Sequence, residues 1–252
     1  MGYVDSHSHI ASVEFEEDLD AVIRNIEEND IEEVMIVCAD LREVEKAIAL
    51  KEKDPRYKVA VGIHPEDAKN LTDDMWNTFI TKAHYPQIDA IGEIGLDYYW
   101  DKDNKEEQKE LFIKQIEVAR ELHKPILVHS RDAMQDTYDI MKAHQIKGVL
   151  HCYGGSAEMA KEFVKLGYLI AFGGVLTFKK SRVAREVVET IDLKYLLTET
   201  DCPYMTPEPY RGKKNEPMYV QYVTKKIAEI KCVSEEEVQE AVKRNYLSLF
   251  EG

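Results

Sequence analysis

The sequence contains no apolar run approaching the about 18 residues that a membrane-spanning helix needs, and no charged-then-apolar leader of the secretory kind at its amino terminus. Those absences predict a globular protein of the cytoplasm with no membrane partner. Cysteine is scarce: Cys38, Cys152, Cys202 and Cys232 include no C-x-x-C pair, which argues for reduced thiols and against a disulfide framework. No stretch rich in proline, glycine and serine interrupts the chain, so one domain over residues 1–252 is expected rather than two joined by a linker. Positive charge is in deficit. The 33 basic and 48 acidic residues give a net charge of −15, whose averaged field repels nucleic acids and anionic membranes, so an anionic substrate must be won locally. No glycine-rich phosphate loop follows the first apolar run, which counts against a doubly wound open sheet.

What the chain does contain is an alternation. Apolar, β-branched runs begin near Tyr3, Glu33, Lys58, Asp89, Pro125, Gly148, Tyr168 and Tyr195, which makes eight strand candidates. Amphipathic stretches lie between them, such as Asp18 to Glu28, Leu41 to Lys51, Asn104 to His123 and Asp132 to His144, at the roughly 30-residue period of β/α units. Eight such units in 252 residues predict a single-domain (β/α)8 TIM barrel of the α/β class. Two more helices are expected after the eighth strand, one from Pro217 to Ile230 and one starting at Ser234, with Glu237 completing a capping box.

In such a barrel the active site lies where strands end and βα loops begin. His7 and His9, one residue apart, share a strand face with backbones about 6 to 7 Å apart, close enough for two imidazoles to close on one ion. The third strand ends in His64, the fourth in Glu93, the fifth in His129, the sixth in His151, and the eighth in Thr198-Glu199-Thr200-Asp201. Five of the eight histidines therefore fall on strand ends, whereas His84, His123 and His144 fall near helix ends, where a surface role is the default. Four imidazoles and two carboxylates exceed what one zinc ion with an open position needs, so two divalent metal ions are implied. A carboxylate bridging ions roughly 3.5 to 4 Å apart suits hydrolysis by activated water. Zinc or manganese fits this many imidazoles better than magnesium, and about one unit of residual positive charge would favour a phosphate oxygen.

These motifs carry a resemblance. His7-Ser8-His9, Gly62-Ile63-His64-Pro65, Gly92-Glu93-Ile94-Gly95-Leu96-Asp97, Pro125 to Ser130, His151-Cys152-Tyr153 and Thr198 to Pro203 resemble the TatD family of metal-dependent deoxyribonucleases, within the amidohydrolase superfamily of barrels. The likeness runs from Tyr3 to beyond Pro217 and includes Pro209-Tyr210-Arg211-Gly212-Lys213 and Asn215-Glu216-Pro217. It implies that His7, His9 and Asp201 hold one metal, that His129 and His151 hold the other, and that Glu93 bridges them. It further implies that His64 touches the substrate phosphate or assists the leaving group. Asp201 would take the proton from the attacking water, and Glu199 would be either a third acid or a residue behind the ligands.

Several readings of the flanking residues stay open. Asp5 shares the face of His7, where it either orients an imidazole or is a capping or solvated acid. Cys152 and Cys202 alternate away from the ligands, which suggests packing. Tyr98, Tyr99 and Trp100 follow Glu93 in a loop that either stacks bases or caps the barrel. Lys179, Lys180, Arg182 and Arg185 after the seventh strand, with Arg211, Lys213 and Lys214 after the eighth, are expected to form a basic lip, Arg211 and Lys213 contacting substrate. The expected activity is phosphodiester hydrolysis of DNA from strand ends or of short nucleic acid. The rival enzyme reading is an ester or amide hydrolase such as a D-aminoacyl-tRNA deacylase, and the rival from another class is a scaffold with a dead site, which would show a broken ligand set. Oligomeric state stays open.

Overall fold

The computed structural model describes residues 2–100 and 102–250. The apolar runs form strands β1 (Tyr3–Ser8), β2 (Ile31–Cys38), β3 (Tyr57–Val61), β4 (Ala90–Asp97), β5 (Ile126–Arg131), β6 (Gly148–Leu150), β7 (Leu169–Phe172) and β8 (Leu196–Thr198). They lie side by side in chain order, each pairing in parallel with the next. The ring closes where the chain after β8 returns to β1. There Thr198 Oγ1 donates to the Val4 carbonyl at 2.7 Å, the Asp201 amide to His7 O at 2.9 Å and the His9 amide to Cys202 O at 3.0 Å. This is the expected (β/α)8 barrel, and the expected strand starts fall within two residues of the observed ones.

The intervening helices are α1 (Leu19–Glu28), α2 (Val44–Lys53), α3 (Asp73–Ala83), α4 (Lys105–Glu121), α5 (Met134–His144), α6 (Ala157–Lys165) and α7 (Arg182–Thr190), with α8 (Val220–Lys231) and α9 (Glu235–Phe250) after β8. Because helices cover the outside and side chains fill the inside, parallel strands are buried on both faces. Every residue of β3 and β4 is buried. Each helix lays an apolar stripe on the sheet, as with Val22 and Ile26 of α1, or Ala157, Ala160 and Phe163 of α6. Caps set the helix starts: Ser156 Oγ accepts from the Met159 amide and Ser234 Oγ from the Glu237 amide, the latter as the capping-box spacing predicts.

Helix boundaries depart from the periodicity where local backbone overrides it. The stretch from Leu41 opens as a 3-10 turn capped by Asp40 before α2 begins at Val44, and Pro217–Tyr219 likewise precedes α8 as a 3-10 turn. Asp132 and His123 have φ of 54° and 53°, in the left-handed region, so α5 starts after Asp132 and α4 ends before His123. Among the described residues no helix is long and apolar enough to cross a membrane.

One glycine positions the functional end of the barrel. Gly95 in β4 pairs with His129 in β5 and has φ of 143°, and a Cβ there would meet the His129 carbonyl oxygen at 2.0 Å. Gly95→Ala should therefore destabilise the protein by about 2 to 4 kcal/mol, combining overpacking with a disfavoured φ. Urea unfolding measures it, and an unchanged midpoint would show that the two strands do not approach this closely.

Candidate metal centre

The strand ends bring the predicted ligands onto one point. His7 near the end of β1 and His9 just beyond it face the barrel axis, their Nε2 atoms 3.3 Å apart, while Ser8 between them turns away and donates to Met35 O at 2.9 Å. Asp201 Oδ1 lies 3.4 Å from His9 Nε2 and 3.8 Å from His7 Nε2. On the other side, His129 Nδ1 and His151 Nε2 are 3.3 Å apart. Glu93 stands between the two groups: its Oε1 is 2.7 Å from both His129 Nδ1 and His151 Nε2, and its Oε2 is 3.4 Å from His7 Nε2. His7 and His151 stack, ring centroids 3.9 Å apart.

The outer hydrogen bonds of the imidazoles decide which nitrogen faces inward. His9 Nδ1–H donates to the Val37 carbonyl at 2.9 Å, which leaves the Nε2 lone pair for the centre. His129 Nε2–H donates to Asp97 Oδ2 at 3.0 Å, which leaves Nδ1 inward. His64 is arranged the opposite way. Its Nδ1 accepts the Glu66 amide at 3.3 Å, so Nε2 carries the proton and points toward Glu93 Oε1 at 3.8 Å. A protonated Nε2 is a donor rather than a ligand, so the spacing that groups His64 with Glu93 and His129 does not by itself make His64 a metal ligand.

The donor set fits divalent transition metals. Imidazole nitrogens and carboxylate oxygens converge at 2.7 to 3.8 Å, and the candidate ligand atoms of His7, His9 and Asp201, and of His7, Glu93 and His151, all lie within 4.8 Å of one another. The electrostatics point the same way. Burial opposes ionisation of Glu93, yet His151, His129 and His7 around it hold its carboxyl well below the usual range. Burial also disfavours charge on His9 and His129, but Asp201 with Glu93 raises the first to about 9, and Asp97 with Glu93 raises the second to about 10. His7 and His64, where burial prevails, are lowered to about 4.

Residues behind the candidate ligands take roles that strand parity did not assign. Asp97, four residues after Glu93 in β4, is the partner of His129, and that same-face spacing is the signal in the sequence that marks it. Asp5 does not orient an imidazole. Its carboxylate accepts the Thr200 amide at 2.8 Å and the Thr200 hydroxyl at 2.6 Å, which anchors the segment leading to Asp201. Glu199 is fully buried, accepts the Cys152 amide at 2.5 Å and has Oε2 3.9 Å from His151 Nδ1, so it stands behind His151 rather than in the cleft. Cys152 departs from its expected packing role. With φ of 42° it has left the strand alternation, and its thiol reaches Asp201 Oδ2 at 3.7 Å, whereas Cys202 is buried as expected.

Part of the expected basic lip is engaged within the protein, while Lys180 and Arg182 line a neighbouring cleft beside Cys152 and Met205. Lys214 is bound to the Asp18 carboxylate at 2.7 Å, and Arg185 donates to Phe178 O. Arg211 sits over the Phe178 ring at 4.3 Å and so joins the β7 and β8 loops, with Lys213 over Tyr210 at 5.2 Å. Neither Arg211 nor Lys213 forms a wall of the cleft of about 790 Å3 that opens over the ligands; His64, Glu66, Trp100, Arg131, Tyr204 and Met205 do. His84 and His144 are spent on helix ends, bonded to Ile80 O and to Glu117.

Comparison with known proteins agrees with this architecture. The family model described as TatD related DNase matches residues 4–251. The uncharacterized metal-dependent hydrolase YabD of Bacillus subtilis (strain 168) is 39% identical over 249 residues, covering 98% of either chain. YcfH of Escherichia coli (strain K12), also described as an uncharacterized metal-dependent hydrolase, is 34% identical over 256 residues, covering 99% of this chain and 96% of its own. Among solved structures, the TatD homologue YJJV from Escherichia coli k12 superposes with a TM-score of 0.93 at 26% identity, over 99% of this chain and 98% of that one. Barrel, histidine and carboxylate cluster, and relatives together define a metal-dependent hydrolase. The chain belongs to the TatD family.

The raised histidines have a measurable consequence. Groups with pKa values of about 9 and about 10 hold their protons at pH 7 without metal, and each must lose one to become a ligand. Metal uptake at pH 7 should release at least two protons, His151 being raised as well by Glu93 and Glu199, and apparent affinity should climb with pH until those values are passed. Calorimetry in buffers of different ionisation enthalpy counts the protons; a count near zero would mean that both imidazoles are already neutral.

Proposed function

We propose that this protein is a binuclear metal-dependent phosphodiesterase that cuts DNA, preferentially at strand ends. The observation that carries the binuclear reading is Glu93, whose two oxygens address different imidazole sets. In this reading His7, His9 and Asp201 hold one ion, His129 and His151 hold the other, and Glu93 bridges them. Zinc or manganese suits the imidazole-rich set better than magnesium. The description of the matching family as a DNase supports a phosphodiester substrate.

When bound, the ions neutralise charge on a phosphate oxygen and acidify water at neutral pH. The chain's own residues do the rest. Asp201, at the cleft floor beside His9, accepts the proton of the attacking water. His64, neutral and with its Nε2–H aimed into the cleft, donates a hydrogen bond that stabilises charge on a phosphate oxygen or on the departing oxygen. Asp97 holds His129 from behind by a hydrogen bond, and the Glu199 carboxylate stands behind His151 and favours its charge. Arg211 and Lys213, outside the cleft, meet the strand where it leaves the site.

Two variants separate the roles. Glu93→Gln should lose at least half of the bound metal and nearly all activity in a folded barrel, since a neutral amide does not hold two cations. His64→Ala should keep both metals and lose activity by about 100-fold or more. Metal content by elemental analysis, read beside turnover, decides: full occupancy in the first variant would end the bridging assignment, and a lost ion in the second would make His64 a ligand.

Charge predicts the form of substrate. A body of −15 with few free cations at the cleft neutralises few phosphates, so log affinity should fall with log salt at a slope of only about −1 to −3. Linear single strands should be cut faster than closed circular duplex. Faster cutting of the circle with a steep salt slope would make it an endonuclease with a long footprint, and release of D-amino acids from aminoacyl esters without DNA cleavage would move the substrate class to esters.

A further inference from the structure

Exposed aromatic side chains gathered in one place mark a binding surface, whereas singly scattered ones do not. Here the exposed ones among the described residues, Tyr99 at 49%, Trp100 at 65% and Tyr204 at 56%, gather at the mouth of one cleft. Trp100 and Tyr204 line it, and Tyr99 stands against Trp100 edge to face with centroids 4.8 Å apart. Trp100 follows β4 and Tyr204 follows β8, which are four places apart in a ring of eight strands, so the two walls face each other across the metal centre.

The Trp100 wall is held in position rather than loosely attached. Asp97 accepts the amides of Tyr99 at 2.8 Å and Trp100 at 3.1 Å through one oxygen, while its other oxygen accepts His129 Nε2–H at 3.0 Å. One carboxylate thus ties the aromatic pair to a ligand ring. Arg131, from the end of β5, lays its guanidinium on Tyr99 at 3.8 Å and within 5.4 Å of Trp100 and also lines the cleft. A planar cation beside an open indole is a surface that stacks a flat ring and attracts the phosphate attached to it.

We propose that Trp100 and Arg131, with Tyr204 opposite, form a stacking subsite for the nucleobase adjoining the scissile phosphate. The inference rests on the nucleic-acid reading above and narrows it: the enzyme takes a base that is already unpaired, at a strand end or in single-stranded DNA. Stacking suits an acidic body because it binds every base through its π-face and does not depend on neutralising a long run of phosphates.

The test pairs a protein change with a substrate change. Trp100→Ala should raise KM about tenfold on a short oligothymidylate and alter kcat by about twofold at most, while Trp100→Phe restores most of the affinity. Removing the base next to the cut, with an abasic analogue, should raise KM on the unaltered enzyme by a similar factor, and the two changes together should add little beyond either alone. Independently, in a Trp76→Phe background Trp100 is the remaining tryptophan, and its fluorescence should be quenched by the intact oligonucleotide and not by the abasic one. Cleavage that ignores the base, with unquenched fluorescence, overturns the subsite and leaves the nuclease reading intact. Quenching without any cleavage supports the subsite and overturns the nuclease reading; absence of both overturns the two together.

Discussion

A buried carboxylate surrounded by imidazoles is the interaction on which the functional end of this barrel depends. Glu93 is buried at the floor of the cleft, and an isolated ionised carboxylate in that position would be strongly disfavoured. Here four histidines stand around it, His7, His64, His129 and His151, so its charge is retained and its two oxygens are divided between opposite sides of the barrel axis. The rings in turn are aimed from outside, by the Val37 carbonyl behind His9 and by Asp97 behind His129. His9 and His129 are thus oriented by the protein itself, which lowers the reorganisation needed on binding.

Closure of the barrel is what makes this meeting possible. His7 and Asp201 come from opposite ends of the chain and are joined by the Asp201 amide to the His7 carbonyl, while Asp5 holds Thr200 by both amide and hydroxyl. The seam between β1 and the chain after β8 is therefore also the floor of the site. The strong acidity of the whole molecule acts on another scale. It shapes the long-range field and the solubility, whereas the local charge is set by a few histidines and by cations such as Lys214 that are already paired with acids.

Much of this was legible in the residues themselves. The alternation of apolar runs and amphipathic stretches specifies eight strands and their helices, because a strand buried on both faces and a helix with one apolar face have different periods. Histidines and acids placed at the ends of those runs must meet in a parallel barrel, since all its strands end on one face. The sequence alone thus determined the barrel, the set that gathers at its mouth and the likeness to a metal-dependent hydrolase family.

Tertiary structure decided what each member faces. Parity holds only while the backbone stays extended, so Cys152, turned by a left-handed φ, reaches Asp201 although alternation sends it away. The tautomer of His64 is set by a turn that presents the Glu66 amide to Nδ1, and that of His129 by Asp97 on the neighbouring strand. Arg131 and Tyr99 meet only because β4 and β5 are adjacent in the ring. Local periodicity records which side a residue takes within its own strand; partners across strands and beyond strand ends depend on register and closure, which arise only when the whole sheet is assembled.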